Sequence, residues 1–111
     1  MDIFEHLISI VEKGFLKYRT VNLVDSQERV YILSMSYSDG VFDIGHVYIA
    51  PRQQGGFKHF ITLLKSLKGY GVKKIVLSKV VNSHLAQHLF DTGWTLKASK
   101  KGNWIDFHLD L

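Results

Sequence analysis

The sequence predicts a domain of the α/β kind, more narrowly α+β, in which three helices flank a mixed, mostly antiparallel sheet of about six strands. Three segments repeat apolar residues at helical spacing, six short segments are rich in β-branched or aromatic residues, and glycines or polar residues separate them. A chain of 111 residues with 46% apolar side chains and one proline is long enough for one core. We therefore expect a single domain over residues 1–111, with the element order α-β-β-β-α-β-α-β-β.

The first segment is typical of an amphipathic helix between Asp2 and Gly14. Its apolar residues recur every three or four positions, which places them on one face of a helix. Asp2 can cap or electrostatically favour the N-terminus, and Gly14 can end the helix. The predicted inner face consists of Phe4, Leu7, Ile8 and Val11.

Three strands are expected next, in an antiparallel meander. The segments Tyr18–Val24, Arg29–Tyr37 and Val41–Ala50 carry the strand-forming residues, and polar turns separate them. The alternation in the second segment places on one face Tyr31, Leu33, Met35 and Tyr37. Gly45 interrupts the third segment, which indicates a bulge, a close approach of another backbone or of a ligand, or conformational relief alone.

A second amphipathic helix is predicted to begin at Gly55 and Gly56. Its apolar stripe consists of Phe57, Phe60, Ile61, Leu64 and Leu67. The first N–H groups of a helix have no partner within the helix, and the helix dipole adds partial positive charge there. With Arg52 and Lys58 on either side, such a loop can hold a phosphate group. The alternative is a plain connection between a strand and a helix.

A buried strand and a third helix follow. The strand is predicted over Lys74–Val80, because that segment is short and largely apolar. The helix is predicted to begin at Asn82 or Ser83 and to end at Gly93. Its expected inner face consists of Leu85, Ala86, Leu89 and Phe90.

A hairpin of Trp94–Ser99 and Trp104–Leu111 closes the chain. The second of its strands alternates, with Ile105, Phe107, Leu109 and Leu111 on one face. We expect this strand to be an edge that can pair between the subunits of a homodimer. On its other face Asp106, His108 and Asp110 could hold a cation, but a solvated face is the simpler interpretation, so no metal site is predicted.

Composition excludes several classes of protein. The absence of cysteine excludes disulfides, thiolate metal sites and a cysteine nucleophile. The apolar run Leu7–Val11 is too short and too polar for a signal peptide or a membrane span, so we expect no membrane partner and a cytoplasmic location. The net charge of +4 and the pI near 9.4 favour either a solvated basic face or one that binds an acidic partner such as a nucleic acid.

The segment Val41–Ser99 resembles the acetyl-CoA-binding core of the GNAT superfamily of N-acetyltransferases. The loop pattern of that family is Gln or Arg, two residues, Gly, any residue, and then Gly or Ala. Residues 52–57 match this pattern up to the last position, where Phe57 replaces the small residue. A later pattern of the family runs from Asn through a helix to Gly-Phe, and here Asn82 leads to Gly93 with Trp94 after it. The order and spacing of these motifs carry the resemblance.

The resemblance implies that acetyl-CoA is the cofactor. The backbone N–H groups of the loop would hold the CoA pyrophosphate, with Arg52 beside them. Those groups belong to Gln53, Gln54, Gly55, Gly56, Phe57 and Lys58. The preceding strand, which includes Val47 and Ile49, would pair with the pantetheine arm, and Asn82 would lie beside that arm.

The catalytic residues match the family less well. Its usual proton donor to the departing thiolate is a tyrosine four residues before the Gly of Gly-Phe, and Leu89 occupies that position here. The candidates to replace this donor are His84, His88 and Ser78. The candidates for a general base, on the third strand, are His46, Tyr48 and Asp43.

Two functions follow from these residues. The first is an acetyl-CoA-dependent N-acyltransferase that acetylates an amine of a protein or a small molecule. The second is a catalytically silent module of GNAT-like fold that binds a protein or nucleic-acid partner through its basic face; the replacements Leu89 and Phe57 and the short chain favour it. A small α/β domain with an accidental resemblance is the third interpretation.

Overall fold

The computed structural model describes residues 2–50, 56–80, 83–98 and 105–111. The α-helices are α1 (Ile3–Lys13), α2 (Gly56–Ser66) and α3 (Ser83–Asp91), and a short 3₁₀ helix, Leu67–Tyr70, follows α2. The strands are β1 (Phe15–Val24), β2 (Val30–Ser38), β3 (Val41–Ala50), β4 (Lys74–Val80), β5 (Thr95–Ala98) and β6 (Ile105–Asp110). The predicted fold class and element order are confirmed. No helix in these ranges is long and apolar enough to cross a membrane.

The six strands form one sheet in the order β1-β2-β3-β4-β6-β5. Only β3 and β4 pair in parallel, whereas every other neighbouring pair is antiparallel. Helix α2 makes the long connection that a parallel pair requires. The sheet is therefore mixed and mostly antiparallel, as predicted.

The prediction that the last strand is an edge is wrong. Strand β6 pairs with β4 on one side and with β5 on the other, so the edges of the sheet are β1 and β5. The chain runs from β4 through α3 to β5. The hairpin that follows β5 then places β6 in the space between β4 and β5. A homodimer formed through the β6 edge is excluded for this arrangement.

The N-terminal helix has the predicted caps. The Asp2 carboxylate accepts a hydrogen bond from the Phe4 backbone N–H at 3.1 Å, and Gly14 ends the helix with a φ of 81°. Its fully buried residues are Ile3, Leu7 and Ile10, whereas the other predicted members of the stripe are half-buried. The buried stripe is thus rotated slightly from the predicted one.

One face of the sheet, here called the inner face, packs against the helices. The predicted alternation in β2 is confirmed, since Tyr31, Leu33, Met35 and Tyr37 are all buried. Buried residues of all three α-helices join the same core, among them Leu7, Phe60, Leu64 and Leu89. Phe90 was predicted to lie on the inner face of α3, but it is 60% exposed. Among the described side chains of α3, the buried stripe is therefore narrower than predicted, and the Leu85 side chain lies outside the described ones.

The opposite face of the sheet, here called the outer face, is polar and largely exposed. The strand register places on it Thr20, Ser34, Asp43, His46, Tyr48 and Ser78. Asp43 and His46 are exposed, and 39% of Tyr48 is exposed. All three general-base candidates therefore lie on the face that solvent reaches.

Candidate functional site

Strands β3 and β4 separate in the middle of the sheet. Their parallel pairing runs from Val41 and Lys74 to Ile44 and Leu77. Beyond Ile44, within the described ranges, β3 continues to Ala50 with β2 as its only partner strand. The main-chain groups on the other side of β3 therefore face a gap, and an extended ligand can hydrogen-bond to them there.

A β-bulge in β3 marks the start of this gap. Ser34 pairs with His46 and the adjacent Met35 pairs with Ile44, so Gly45 has no opposite residue in β2. A Cβ atom on Gly45 would lie 2.5 Å from the Tyr18 hydroxyl oxygen. The expected bulge at Gly45 is confirmed, whereas the group that approaches it closely is the Tyr18 side chain rather than another backbone or a ligand.

The predicted pantetheine residues lie along the unpaired part of β3. The side chains of Val47 and Ile49 are half-buried against the core on the inner face. Their main chain pairs with Leu33 and Tyr31 of β2 on one side. The strand can pair with a ligand on its other side, but its role in holding CoA stays a prediction.

Helix α2 begins at Gly56, as the glycines predicted. Its Phe60 ring lies 5.9 Å, between centroids, from the ring of Tyr31, which pairs with the C-terminal part of β3, so the first turns of α2 lie near that end of the gap. The first turn of α2 contains no acidic residue, so its unpaired N–H groups and its dipole are not neutralised there. The Phe57 ring is half-buried against the core and meets the Phe60 ring edge-on, with 6.4 Å between their centroids. Lys58 is exposed. This end of α2 has the charge that phosphate groups require.

Several predicted cofactor residues lie outside the described part of the chain. They are Arg52, Gln53, Gln54, Gly55 and Asn82. His84 belongs to α3, but its side chain is likewise not among those described. The assignments made for these residues stay predictions.

Asp43 and Ser78 meet across the end of the β3–β4 pairing. The Ser78 hydroxyl donates a hydrogen bond to Asp43 Oδ1 at 3.0 Å. This bond joins one candidate for the general base to one candidate for the proton donor. His46 and Tyr48 lie farther along β3, opposite Ser34 and Ile32.

The electrostatics on this part of the outer face involve β6 as well. Asp43 and His108 both pair with Val76, from opposite sides. Burial lowers the pKa of His108, and Lys74 and Lys97 lower it further, while Asp106 and Asp43 act in the opposite direction. His108 is half-buried, and its buried Nδ1 has no hydrogen-bond partner among the described residues, so the C-terminal strand is less solvated than predicted. No group of ligands that could hold a metal occurs among the described residues.

Helix α3 presents no phenol at the position of the family's tyrosine. Leu89 is wholly buried in the core, and Phe90 faces solvent. His88 is half-buried. The sequence drew attention to these residues but not to Tyr18, which approaches Gly45 from β1. The lone glycine was the only sequence signal for that contact, and it did not identify the partner.

The sequence matches no family model and no curated protein. Solved structures match it at low identity. The ribosomal-protein-S18-alanine N-acetyltransferase of Escherichia coli has a TM-score of 0.55 at 13% identity, covering 100% of this chain and 89% of that one. A Bacillus subtilis acetyltransferase in complex with CoA has a TM-score of 0.57 at 12% identity, covering 96% of this chain and 84% of that one. The PaiA N-acetyltransferase of Thermoplasma acidophilum, in complex with coenzyme A, has a TM-score of 0.54 at 13% identity, covering 73% and 53%.

These neighbours share the fold rather than the sequence. Two of them are complexes with CoA. The chain thus has the fold of the GNAT superfamily of N-acetyltransferases.

Proposed function

We propose that the chain is an acetyl-CoA-dependent N-acyltransferase that transfers an acetyl group to an amine of a protein or a small molecule. The observation that carries this proposal is the gap between β3 and β4, which opens beside the N-terminus of α2. An anionic group at the helix and an extended arm along β3 are the two parts of a CoA molecule that such a site suits. The CoA complexes of two structural neighbours support the same choice.

The residues near the gap fit this cofactor. Gly56 starts a helix without acidic residues in its first turn, and Lys58 adds an exposed positive charge. The backbone N–H groups from Gln53 to Lys58 would hold the pyrophosphate, with Arg52 beside them, and the β3 main chain at Val47 and Ile49 would bind the pantetheine arm. Asn82 would contact the arm from the β4 side.

The acceptor amine would enter from the outer face. On the inner face Ile44, Leu77 and Phe42 are buried and fill the space behind the start of the gap. On the outer face Asp43 is exposed and hydrogen-bonded to Ser78. A bound thioester supplies the acetyl group, and Asp43 would take a proton from the attacking amine, which is cationic until it loses one.

Isothermal titration with acetyl-CoA tests the binding part of the proposal. We expect micromolar affinity for the wild-type chain and a loss of at least about tenfold in Gly56→Glu, whose carboxylate would repel the pyrophosphate. An acidic residue at the start of a helix is compatible with helix stability, so unfolding would not account for the loss. Gly69→Glu is the control, because a side chain at Gly69 meets nothing within 4 Å. Equal affinities in all three proteins would place CoA elsewhere.

Thiol release tests the transfer itself. The chain has no cysteine, so a thiol reagent reports only the CoA that is set free. We expect one or more members of a panel of amino acids, diamines and peptides with free N-termini to accelerate this release. Acetyl-CoA binding with no acceleration, together with nucleic-acid binding that weakens steeply with salt, would instead support the silent binding module. The cytoplasmic location stays a prediction.

A further inference from the structure

Tyr18 reaches the β3 bulge from the other side of β2. It lies in the irregular part of β1, where three steps from Leu16 to Arg19 oppose two steps from Tyr37 to Met35. Its ring crosses β2 on the outer face and ends at Gly45, where a Cβ atom would lie 2.5 Å from the hydroxyl oxygen and 3.3 Å from two ring carbons. The hydroxyl is therefore held against the β3 backbone, next to the last residue that pairs with β4.

The Tyr18 hydroxyl is chemically available. Tyr18 is 54% exposed, and its hydroxyl forms no hydrogen bond with another residue of the described ranges. A tyrosine hydroxyl both donates and accepts hydrogen bonds. Aromatic packing alone does not explain a ring laid over a polar, exposed face with its hydroxyl at the start of a binding gap.

Helix α3 offers no proton donor at the position of the family's tyrosine or at the residue after it. Leu89 cannot donate a proton and is wholly buried, and the exposed Phe90 has no polar atom. A departing thiolate nevertheless has to be protonated. The Ser78 hydroxyl already donates its proton to Asp43, whereas the hydroxyl that lies beside Gly45 comes from β1.

We infer that the Tyr18 hydroxyl is the proton donor to the departing CoA sulfur, an inference that rests on the proposed acyltransferase function. The absence of a side chain at Gly45 gives the hydroxyl its position, because any Cβ there would displace the ring. The bulge therefore serves two purposes. It ends the pairing between β3 and β4, and it admits a donor from a strand two positions away in the sheet.

The groups on the outer face can donate and accept all the protons that move in the reaction. The amine nitrogen forms a bond to the acetyl carbon, and the carbon–sulfur bond breaks with its electron pair on sulfur. Before the attack, Asp43 takes one proton from the ammonium form of the acceptor and passes it to water. Tyr18 then gives its hydroxyl proton to the departing sulfur, and the protonated amide loses its extra proton to Asp43. Since Tyr18 and Asp43 are both exposed, water returns a proton to the phenolate and removes one from the carboxyl group.

Tyr18→Phe is the decisive variant, because it removes only the hydroxyl. Tyr70→Phe is the matched control: Tyr70 is 50% exposed, and its ring packs edge-on against Phe4 of α1, away from β3. Each protein is assayed for acetyl-CoA affinity by titration and for thiol release with the most effective amine of the panel, across a range of pH. Thermal unfolding is measured in parallel.

In Tyr18→Phe we expect kcat to fall about 100-fold while acetyl-CoA affinity and thermal unfolding stay unchanged. A merely structural role for Tyr18 would lower the thermal unfolding temperature or the acetyl-CoA affinity together with kcat. A wild-type rate at every pH in Tyr18→Phe would overturn this inference alone, whereas a wild-type chain that neither binds acetyl-CoA nor releases thiol would overturn the acyltransferase function with it.

Discussion

The Ser78 hydroxyl donates a hydrogen bond to Asp43 Oδ1 at 3.0 Å, and this bond joins β3 to β4 where their parallel pairing ends. It fixes the orientation of the carboxylate of Asp43, which is exposed on the outer face. A carboxylate held in this way by a neighbouring hydroxyl can accept a proton without first having to rotate. In the proposed mechanism, Asp43 would therefore act as a general base of defined orientation.

Asp43→Asn should lower kcat/KM by about 100-fold with acetyl-CoA affinity unchanged, because the amide keeps the shape but cannot take a proton. Ser78→Ala should cost about tenfold, the value of one hydrogen bond to a charged carboxylate that is exposed to solvent. Asp39→Asn is the control, since Asp39 lies in the β2–β3 turn with a φ of 51°, which asparagine tolerates. Thiol-release kinetics check all three, and equal rates in Asp43→Asn and Asp39→Asn would remove Asp43 from the mechanism.

The bounds of β3 and β4 were predictable from sequence, because β-branched runs with glycine or polar residues at their ends are local signals. Strand β1 begins at Phe15 rather than at Tyr18, where it was predicted to begin. The first part of the strand was missed because Phe15 is exposed and its segment has no clear apolar alternation. The position of β6 inside the sheet was not predictable. Its alternating residues are compatible with an edge strand or with an interior strand. The connection through α3 determines that its neighbouring strands are β4 and β5.

Some features of the candidate site were likewise predictable from the sequence, and others were not. The start of α2 and the candidacy of Asp43 came from local sequence and from the family resemblance. The contacts Asp43–Ser78 and Tyr18–Gly45 depend on how strands far apart in the chain align, and bulges shift that alignment. Periodicity alone contains no information about which residues of non-adjacent strands meet.

Gly45→Ala tests whether the bulge positions Tyr18. The new Cβ would meet the free end of an exposed side chain, so the ring can swing away and the loss of stability should stay within about 1 kcal/mol. Activity should nevertheless fall nearly as far as in Tyr18→Phe. The double variant should be no slower than either single variant, because both act through the same hydroxyl. Additive losses would show that Gly45 affects the site without Tyr18, and Gly69→Ala serves as the unhindered control.

The turn between β1 and β2 depends on the buried carboxylate of Asp25. This group accepts hydrogen bonds from the backbone N–H groups of Gln27 and Arg29, from Arg29 Nη1 at 3.2 Å and from the Tyr31 hydroxyl at 2.9 Å. We expect Asp25→Ala to lower the free energy of unfolding by about 3 kcal/mol, since these donors would lose a shared buried acceptor. Urea unfolding measures this loss, with the exposed Asp91→Ala as the control.

The same carboxylate makes stability depend on acid pH. Burial alone would raise the pKa of Asp25, but hydrogen bonds from Arg29, Tyr31 and Gln27 outweigh it and hold the pKa below its ordinary value of 3.8. A lowered pKa in the folded state stabilises the fold above that ordinary value, and the contribution is lost as the pH falls through the folded pKa. The difference between wild type and Asp25→Ala should therefore shrink below about pH 4. A constant difference down to pH 2 would contradict the assignment.

Tyr31 makes the stability of the fold depend on alkaline pH. Burial raises its pKa to about 12, with the hydrogen bond to Asp25 and the charge of Asp25 adding to the rise. The neutral phenol therefore stabilises the fold below pH 10, and that contribution is lost as the pH rises through about 12. In an ultraviolet titration of the five tyrosines, one should ionise last, and Asp25→Ala should lower its pKa without restoring the ordinary value, because burial remains. Tyr31→Phe identifies that transition by removing it.

Phe57 replaces the small residue of the family's loop pattern, and it lies next to the predicted phosphate site. Its ring packs into the core and against Phe60 rather than standing free in front of α2. Phe57→Ala should therefore lower the free energy of unfolding by about 2 kcal/mol, less than a fully buried phenylalanine would, and should leave acetyl-CoA affinity within about threefold of wild type. Phe90→Ala, at a residue that is 60% exposed, should change stability by less than about 0.5 kcal/mol. A large gain in acetyl-CoA affinity in Phe57→Ala would show instead that the ring obstructs the N–H groups at the start of α2.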